Sequence, residues 1–200
     1  AGVSLRRRPK AEALQRDLDA WSAWWVGEML TTRSPLTERL VLFWQGLFGA
    51  SATHTPWLPL LARHQHTLRA NLLTDLRSML MGVVADPAIL IRFAPNITPR
   101  KGPGVAFAKA LVEEWTVGPG AATDDDFKQI AEAFTGWSVD KATSSFRYNE
   151  AAYKDGERTI MGRTGRFNGT DVVNLLLDDP RTSERLTRRL WQAFVNDRPD

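Results

Sequence analysis

The sequence predicts an all-α protein: an irregular multi-helix domain of about seven to eight helices with long loops, and room for one short β-hairpin within residues 140–165. Three observations lead to this prediction. Apolar residues recur at three- and four-residue spacing through most of the chain. A capping residue followed by proline, which is typical of a helix start, occurs at Ser34-Pro35, Asp86-Pro87 and Asp179-Pro180. Residues 138–168 form the longest stretch without helical periodicity.

The composition narrows the class of protein. The 200 residues are 43% hydrophobic and 24% charged, which is typical of a globular protein with a sizeable core. A net charge of +3 is too small to argue for a nucleic-acid partner. No apolar run approaches the length of a membrane span, and no cysteine is present to form a thiolate metal site. We therefore expect no membrane span, no metal and no cofactor, while the compartment, periplasmic or cytoplasmic, stays open.

The N-terminal part divides into a basic lead-in, residues 1–9, and the start of a single helical domain, residues 10–200. A helix is predicted from about Pro9 to Leu30. Three of its side chains, Trp21, Trp24 and Trp25, widen its apolar stripe, so we interpret them as core or as one side of a protein interface.

The next helix, Ser34 to Ser51, is the most apolar of the chain, with Ser34 predicted as its N-cap and Gln45 as a polar side chain in its last turn. One long helical stretch is then predicted from Leu58 to Ala85. It contains His64 and His66, which point in different directions on a helix and cannot easily share a metal. For these two histidines we expect solvated or capping roles.

The second half follows the same logic. Residues 94–104 are rich in proline and glycine, so we expect an exposed, mobile loop. Helices are predicted over Val105–Val117, after Thr123 and after Asn168. The last helix carries a group of arginines, of which Arg185, Arg188 and Arg189 are the candidates for binding a phosphate; the other interpretation is that their stems cover apolar surface.

Four segments together resemble the bacterial family known as domain of unknown function 1800. They are PLTERLVLFWQGLFGAS (35–51), FAKALVEEWTVG (107–118), DDFKQIAEAFTGWSV (125–139) and TGRFNGTDVVNLLLDDPRTSERLTRRLWQAFVNDRP (164–199). The resemblance covers the chain from Trp21 onward. It implies a mostly helical fold and no established activity, and the family's usual length, about twice this one, implies that the chain matches a central part or a reduced relative.

The sequence departs from the family at three polar boxes. Where the family reads like FWHNHF, this chain has FWQGLF (43–48), so both histidines are replaced. The box NENxARELxEL aligns with residues 104–114 and keeps only Lys109 and Glu113 in type. A His-Asp pair ahead of a glycine-containing signature falls on Tyr153-Lys154. Histidines, carboxylates and amides gathered from three boxes are typical of a metal or acid–base site, and this chain has lost most of them.

Two functional hypotheses follow, with a third behind them. The first is a non-catalytic helical structural or binding subunit of a protein assembly, with a protein partner or a second copy of the chain as its partner. The second is a hydrolase-like or metal-dependent enzyme with a relocated site, for which the candidate residues are Glu113, Gln45, Glu132 and Tyr153. The third is nucleic-acid binding through the arginine-rich last helix, which the low net charge disfavours. We lean towards the first and away from an enzyme.

Overall fold

The computed structural model describes Leu5 and residues 8–196. Arg6 and Arg7 of the basic lead-in therefore lie outside the described residues. The described part of the chain contains nine α-helices, with the bounds α1 Ala11–Thr31, α2 Pro35–Phe48, α3 Leu58–Ala70, α4 Leu76–Val84, α5 Pro87–Phe93, α6 Gly104–Lys109, α7 Asp124–Ala133, α8 Gly169–Leu177 and α9 Pro180–Phe194. The mostly helical prediction is confirmed, and the predicted count of seven to eight was slightly low.

The β structure is small but exceeds the predicted single hairpin. Two antiparallel strand pairs occur in the described ranges: β1 (Trp137–Asp140) with β2 (Ser145–Tyr148), and β3 (Arg158–Ile160) with β4 (Arg163–Gly165). Strands of three or four residues give little periodicity, so the sequence did not reveal two pairs.

The chain divides into two compact units. The first contains Ala1–Pro95 and Val139–Arg147, and the second contains Asn96–Ser138 and Tyr148–Asp200. Because each unit has its own buried side chains, each is described by itself. The prediction of one domain over residues 10–200 stays a prediction.

In the first unit, the stretch predicted as one long helix is two helices. α3 ends at Ala70 and α4 begins at Leu76. The side chain of Asn71 donates to the carbonyl of Thr67 at 2.9 Å, and Asp75 caps α4 by accepting from the backbone N–H of Ser78 at 2.9 Å. Polar side chains that bind nearby backbone end one helix and begin the next, which overrides the apolar spacing that continued through the break.

Apart from the missed start of α4, the predicted N-caps are confirmed at four helices and only in part at a fifth, α2. Asp86, Thr123, Asn168 and Asp179 all accept backbone hydrogen bonds as N-caps. Ser34 precedes α2 as predicted, but its side chain makes no cap hydrogen bond. Pro35 at the first helical position is therefore the effective local signal there.

The core of the second unit is built around aromatic rings. Phe107 lies 5.0 Å from Phe134, and Phe134 lies 4.9 Å from Trp137, in edge-to-face arrangements between ring centroids. The helix predicted over 105–117 continues past α6 as a π-helical segment, Ala110–Trp115, rather than as a regular α-helix. No local residue pattern in the sequence predicts this change of hydrogen bonding.

The predicted exposed loop at 94–104 is partly packed. Ile97, Gly102 and Pro103 are buried. Gly102 has φ +58°, and a Cβ placed on it would lie 2.6 Å from the carbonyl oxygen of Phe134, so only glycine fits this close approach. At Gly102 the loop therefore packs closely against the C-terminal end of α7. Among the described helices, none combines the length and the apolar character that crossing a membrane requires.

Candidate functional site

A carboxylate on α2 joins three helices of the first unit. Glu38 is only 5% exposed, and both its oxygens accept from the guanidinium of Arg69 on α3, one of them at 2.7 Å from Nη2. The indole N–H of Trp25 on α1 donates to the same carboxylate at 3.0 Å. The hydrogen bond from Arg69, more than the one from Trp25, holds the pKa of Glu38 below its ordinary value although burial opposes this. Glu38 and Arg69 thus form an ion pair whose hydrogen-bond partners all lie within the first unit.

A second buried pair in the first unit joins a histidine to an aspartate. His64 on α3 is fully buried, and its Nδ1 lies 3.2 Å from Oδ2 of Asp86, which is also buried. Oδ1 of Asp86 accepts from the backbone N–H of Ala88 and so caps α5, while both ring nitrogens of His64 are buried without a hydrogen bond of good geometry to any described residue. The expectation of a solvated or capping role was wrong for His64, while His66 is exposed. A histidine beside a carboxylate resembles a proton-transfer pair, but this one lacks the orienting hydrogen bond within the described chain and is closed to solvent.

The second unit contains an arginine surrounded by backbone carbonyls. Arg158 at the start of β3 is 2% exposed. Its guanidinium donates to the carbonyls of Gly156 at 2.9 Å and Phe167 at 3.3 Å, and also to the carbonyl of Lys154. It lies 5.5 Å from the ring centroid of Tyr153. Partial charges of carbonyl oxygens, rather than a carboxylate, therefore hold this cation.

Two sequence-predicted site residues meet at this arginine. The hydroxyl of Tyr153 accepts from Nη1 of Arg158 at 3.4 Å and donates to the carbonyl of Phe167 at 3.3 Å. The carbonyl of Glu132 on α7 receives a long hydrogen bond of 3.5 Å from Nη2, while its carboxylate forms an exposed ion pair with Lys154. Tyr153 and Glu132 are thus brought together, with their polar atoms engaged by neighbouring chain.

The third candidate of this unit, Glu113, lies half-buried in the π-helical segment. Arg185 on α9 donates to the carbonyls of Glu113 and Thr116, and Arg189 donates to the carbonyl of Glu114 at 2.8 Å. Burial lowers the pKa of both arginines, although Glu113 and Glu114 act against that for Arg185. Two of the three candidate phosphate-binding arginines therefore satisfy carbonyls at a helix end.

The remaining arginine candidate, Arg188, is exposed and lies 3.6 Å from the carboxylate of Glu184 one turn away. An exposed pair at this spacing contributes little to stability. Arg188 is thus the member of the group whose guanidinium stays in water.

Gln45 and the tryptophans lie in the first unit. The Nε2 of Gln45 donates to the carbonyl of Ala50 at 2.9 Å, beyond the end of its own helix α2. The rings of Trp21 and Trp25 stack with centroids 6.1 Å apart and are half-buried, while Trp24 is 51% exposed. The interpretation as core fails for Trp24; α1 has no buried residue, and only its Trp21–Trp25 side faces the neighbouring helices.

Sequence reasoning missed the most buried polar groups. Glu38 stands three residues before Val41 and ten before Phe48, on the face that both of these buried residues define. A lone carboxylate on such a face is a usable signal, because it needs a cationic partner. Nothing in the sequence around Arg69 predicts that it is the partner of Glu38. Over the described ranges, no group of three or more His, Cys, Asp or Glu residues is placed to hold a metal ion.

Comparison with known proteins gives one match. The family model described as "Protein of unknown function (DUF1800)" matches residues 4–200. No curated protein and no solved structure matches the chain. Since the family model covers nearly all of the sequence, the chain belongs to the DUF1800 family of proteins of unknown function.

Proposed function

We propose that this protein is a non-catalytic helical subunit with a structural or binding role in a protein assembly. The observation that carries the proposal is the use of the polar groups at the three family boxes. Gln45 binds the carbonyl of Ala50, the Glu113 carbonyl receives Arg185, and Tyr153 lies between Arg158 and the Phe167 carbonyl. The amide N–H of Gln45, the backbone carbonyl of Glu113 and the hydroxyl of Tyr153 thus bind neighbouring chain, while Oε1 of Gln45 is buried without a hydrogen-bond partner in the described part of the chain.

The acid–base pair that does exist supports the same conclusion. His64 and Asp86 are the residue types of a proton-transfer pair, but His64 is 0% exposed, its ring nitrogens lack a hydrogen bond to the described residues, and Asp86 caps α5 with its other oxygen. A catalytic group must touch its substrate, so this pair could act only if the helices around it opened. Its role in the proposal is to fix α3 against the start of α5.

The last helix supports the proposal over nucleic-acid binding. Arg185 and Arg189 hold carbonyls of residues 113, 114 and 116, and Arg188 lies beside Glu184. A guanidinium that already neutralises helix-end carbonyls gives up those hydrogen bonds before it can bind a phosphate. The positions of Arg185 and Arg189 are consistent with a role in holding α9 against the π-helical segment.

A surface fit for binding is present on α1. This helix buries no residue; it exposes Val26 and Leu30, which are four residues apart on one side, and Trp24 on another side. Neighbouring exposed apolar side chains such as Val26 and Leu30 mark protein–protein contacts more often than single scattered apolar residues do. We place the binding role there.

The test is an activity and metal measurement on purified protein, with Glu113→Gln as the variant and Glu114→Gln, the exposed neighbour, as its control. We expect no stoichiometric metal and no ester or phosphate hydrolysis above background in any of the three proteins. A stoichiometric metal would contradict the proposal. So would turnover that is lost in Glu113→Gln, kept in Glu114→Gln, and accompanied by unchanged melting temperatures.

A further inference from the structure

Four side chains on α2 and α3 carry buried polar atoms that have no hydrogen-bond partner among the residues that the structure describes. The atoms are Nε1 of Trp44, Oε1 of Gln45, Nε2 of Gln65 and both ring nitrogens of His64. Trp44, His64 and Gln65 are each more than nine-tenths buried, and Gln45 is half-buried. Because buried polar atoms nearly always have a partner, four such side chains on two neighbouring helices call for one explanation.

The ion pair between Glu38 and Arg69 sets the register of the two helices. It joins the first turn of α2 to the last turn of α3. The chain returns from the end of α2 to the start of α3 through residues 49–57, so the helices run antiparallel. Each step of one residue along α2 from Glu38 therefore corresponds to one step back along α3 from Arg69.

On this register the four side chains form two pairs. Counted from the ion pair, Trp44 is six residues along α2 and His64 is five residues back along α3, so their levels differ by about 1.5 Å. Gln45 and Gln65, seven and four residues away, differ by about 4.5 Å, and they lean toward each other because helical side chains tilt toward the N-terminus. Around their helices the two glutamines lie within about 40° of the ion-paired residues, whereas the other two side chains lie more than about 100° away, on the opposite side.

Each pair combines a donor with an acceptor. The amide N–H of Gln65 donates, and Oε1 of Gln45 accepts, while the amide nitrogen of Gln45 is already engaged by a backbone carbonyl. The indole N–H of Trp44 donates, and Nε2 of His64 accepts when the ring proton is on Nδ1, which lies 3.2 Å from the carboxylate of Asp86. In the described chain neither pair is joined by a direct hydrogen bond. A molecule that accepts from one member and donates to the other satisfies both.

We propose that internal water bridges α2 and α3 at this level, one molecule between Gln45 and Gln65 and one between Trp44 and His64. Water both accepts and donates. The N–H groups of Trp44 and Gln65 disfavour a cation there, and Oε1 of Gln45 and the carboxylate of Asp86 disfavour an anion. Globular proteins hold about one internal water per 27 residues, so a chain of 200 residues is expected to hold on the order of seven. The site lies within the first unit and does not depend on the proposed function.

The direct experiment is NMR on the full chain, measuring magnetisation transfer from water to individual N–H groups. The indole N–H of Trp44, assigned through Trp44→Phe, and the side-chain amide of Gln65 should each show a signal with the sign of dipolar transfer from a long-held water molecule rather than of proton exchange. The indole N–H of Trp25 is the control and should show none, because it donates to Glu38. Absence of the signal at Trp44 or at Gln65 overturns the assignment of water to that pair.

A substitution gives a test that depends on sign. Gln65→Met keeps the length of the side chain but removes the donor. If water bridges the two glutamines, the substitution leaves that water and Oε1 of Gln45 poorly satisfied, and the melting temperature should fall by about 2–4 °C. If Nε2 of Gln65 has no partner in solution, the same substitution removes its desolvation cost and the melting temperature should rise. Gln192→Met, at an exposed residue of α9, is the matched control and should change little.

A double variant separates the bridge from an ordinary loss of packing. Either Gln45→Met or Gln65→Met alone already breaks a shared bridge, so the double variant should lose less melting temperature than the two single losses added together. Additive losses overturn the proposal, and so does an unchanged or raised melting temperature in Gln65→Met. None of these results alters the metal and turnover measurements on Glu113→Gln, so failure here and failure of the proposed function are distinguishable.

Discussion

Arg69 of the first unit and Arg158 of the second are two of the arginines that this protein packs against its own chain, and their charges are balanced in different ways. Arg69 of the first unit is half-buried and faces a carboxylate, Glu38, which also accepts from Trp25. Arg158 of the second unit is more deeply buried, and its hydrogen bonds go to backbone carbonyls and to the hydroxyl of Tyr153. The first arrangement joins regular helices, whereas the second fixes irregular chain around short strands.

The difference teaches what each kind of partner does. A carboxylate concentrates a full negative charge at one point, so the first cluster is strong but depends on the ionisation of one side chain. Carbonyls spread partial charge over several segments that cannot otherwise satisfy their backbone groups. We therefore expect the Glu38 cluster to depend on pH, and the Arg158 cluster to be the larger and nearly pH-independent contribution to stability.

The largest effect is expected for Arg158→Met. The substitution keeps much of the side-chain volume but removes a buried donor shared by the carbonyls of Lys154, Gly156 and Phe167, which should lower the free energy of unfolding by at least about 3 kcal/mol. Urea denaturation measures this. Arg100→Ala, at an exposed arginine of the same unit, is the control and should change little. A loss below about 1 kcal/mol for Arg158→Met would show that the carbonyls find other partners.

The second effect is that of Glu38→Gln, expected to lower the free energy of unfolding by about 2 kcal/mol at neutral pH because Arg69 loses its counter-charge. The pKa of Glu38 in the folded protein lies below its ordinary value of 4.5. The unfolded chain therefore takes up the proton first, and the stability that Glu38 contributes is full above that value. It is lost as the pH falls through the lowered pKa.

Denaturation midpoints measured from about pH 7 down to about pH 3 test this sign. The wild type should lose more stability than Glu38→Gln over the acid part of that range, while Arg158→Met should follow the wild-type slope. Parallel curves for wild type and Glu38→Gln would mean that the Glu38 carboxylate is not held ionised by Arg69.

A third prediction concerns how α1 is held. Trp25→Phe keeps the stacked ring but removes the indole N–H that donates to Glu38, so the free energy of unfolding should fall by about 1 kcal/mol. Hydrogen exchange in α1 should rise more than in α3. Trp24→Phe is the matched control, because its ring is half in solvent and should leave both quantities nearly unchanged. Equal effects of the two variants would count against the hydrogen bond as the anchor.

The smallest effect separates the backbone of Lys154 from its side chain. Lys154→Ala removes an ion pair with Glu132 in which both side chains are largely exposed, and should cost no more than about 0.5 kcal/mol. The carbonyl of Lys154 remains to accept from Arg158. Urea denaturation that showed a loss comparable to that of Arg158→Met would reverse the assignment of backbone as the important partner.

Much of the fold could be predicted because its signals are local. Asp86-Pro87, Asp179-Pro180 and the capping boxes at Thr123 and Asn168 set helix starts within a few residues of the sequence that encodes them. The break between α3 and α4 was missed although Asp75 is also a cap, since the apolar spacing across it was followed instead.

The polar clusters could not be predicted because their partners are distant in sequence. Glu38 meets Arg69 across 31 residues, and nothing near either residue encodes the pairing. The same holds for His64 and Asp86. Of the four candidate site residues, the sequence placed Glu132 and Tyr153 in separate segments, and Arg158 at the start of β3 contacts both.

The central claim is that polar groups at the family's boxes, side chains at Gln45 and Tyr153 and the backbone carbonyl at Glu113, serve this fold, and Tyr153→Phe tests it most directly because it removes one oxygen. The account predicts that the free energy of unfolding falls by about 1 kcal/mol, since the Phe167 carbonyl loses a donor and Arg158 loses an acceptor. An unchanged free energy of unfolding would contradict it, because the hydroxyl of Tyr153 would then contribute nothing to the fold. An increased one would contradict it more strongly, because a polar group whose removal stabilises the protein is one kept for activity rather than for structure.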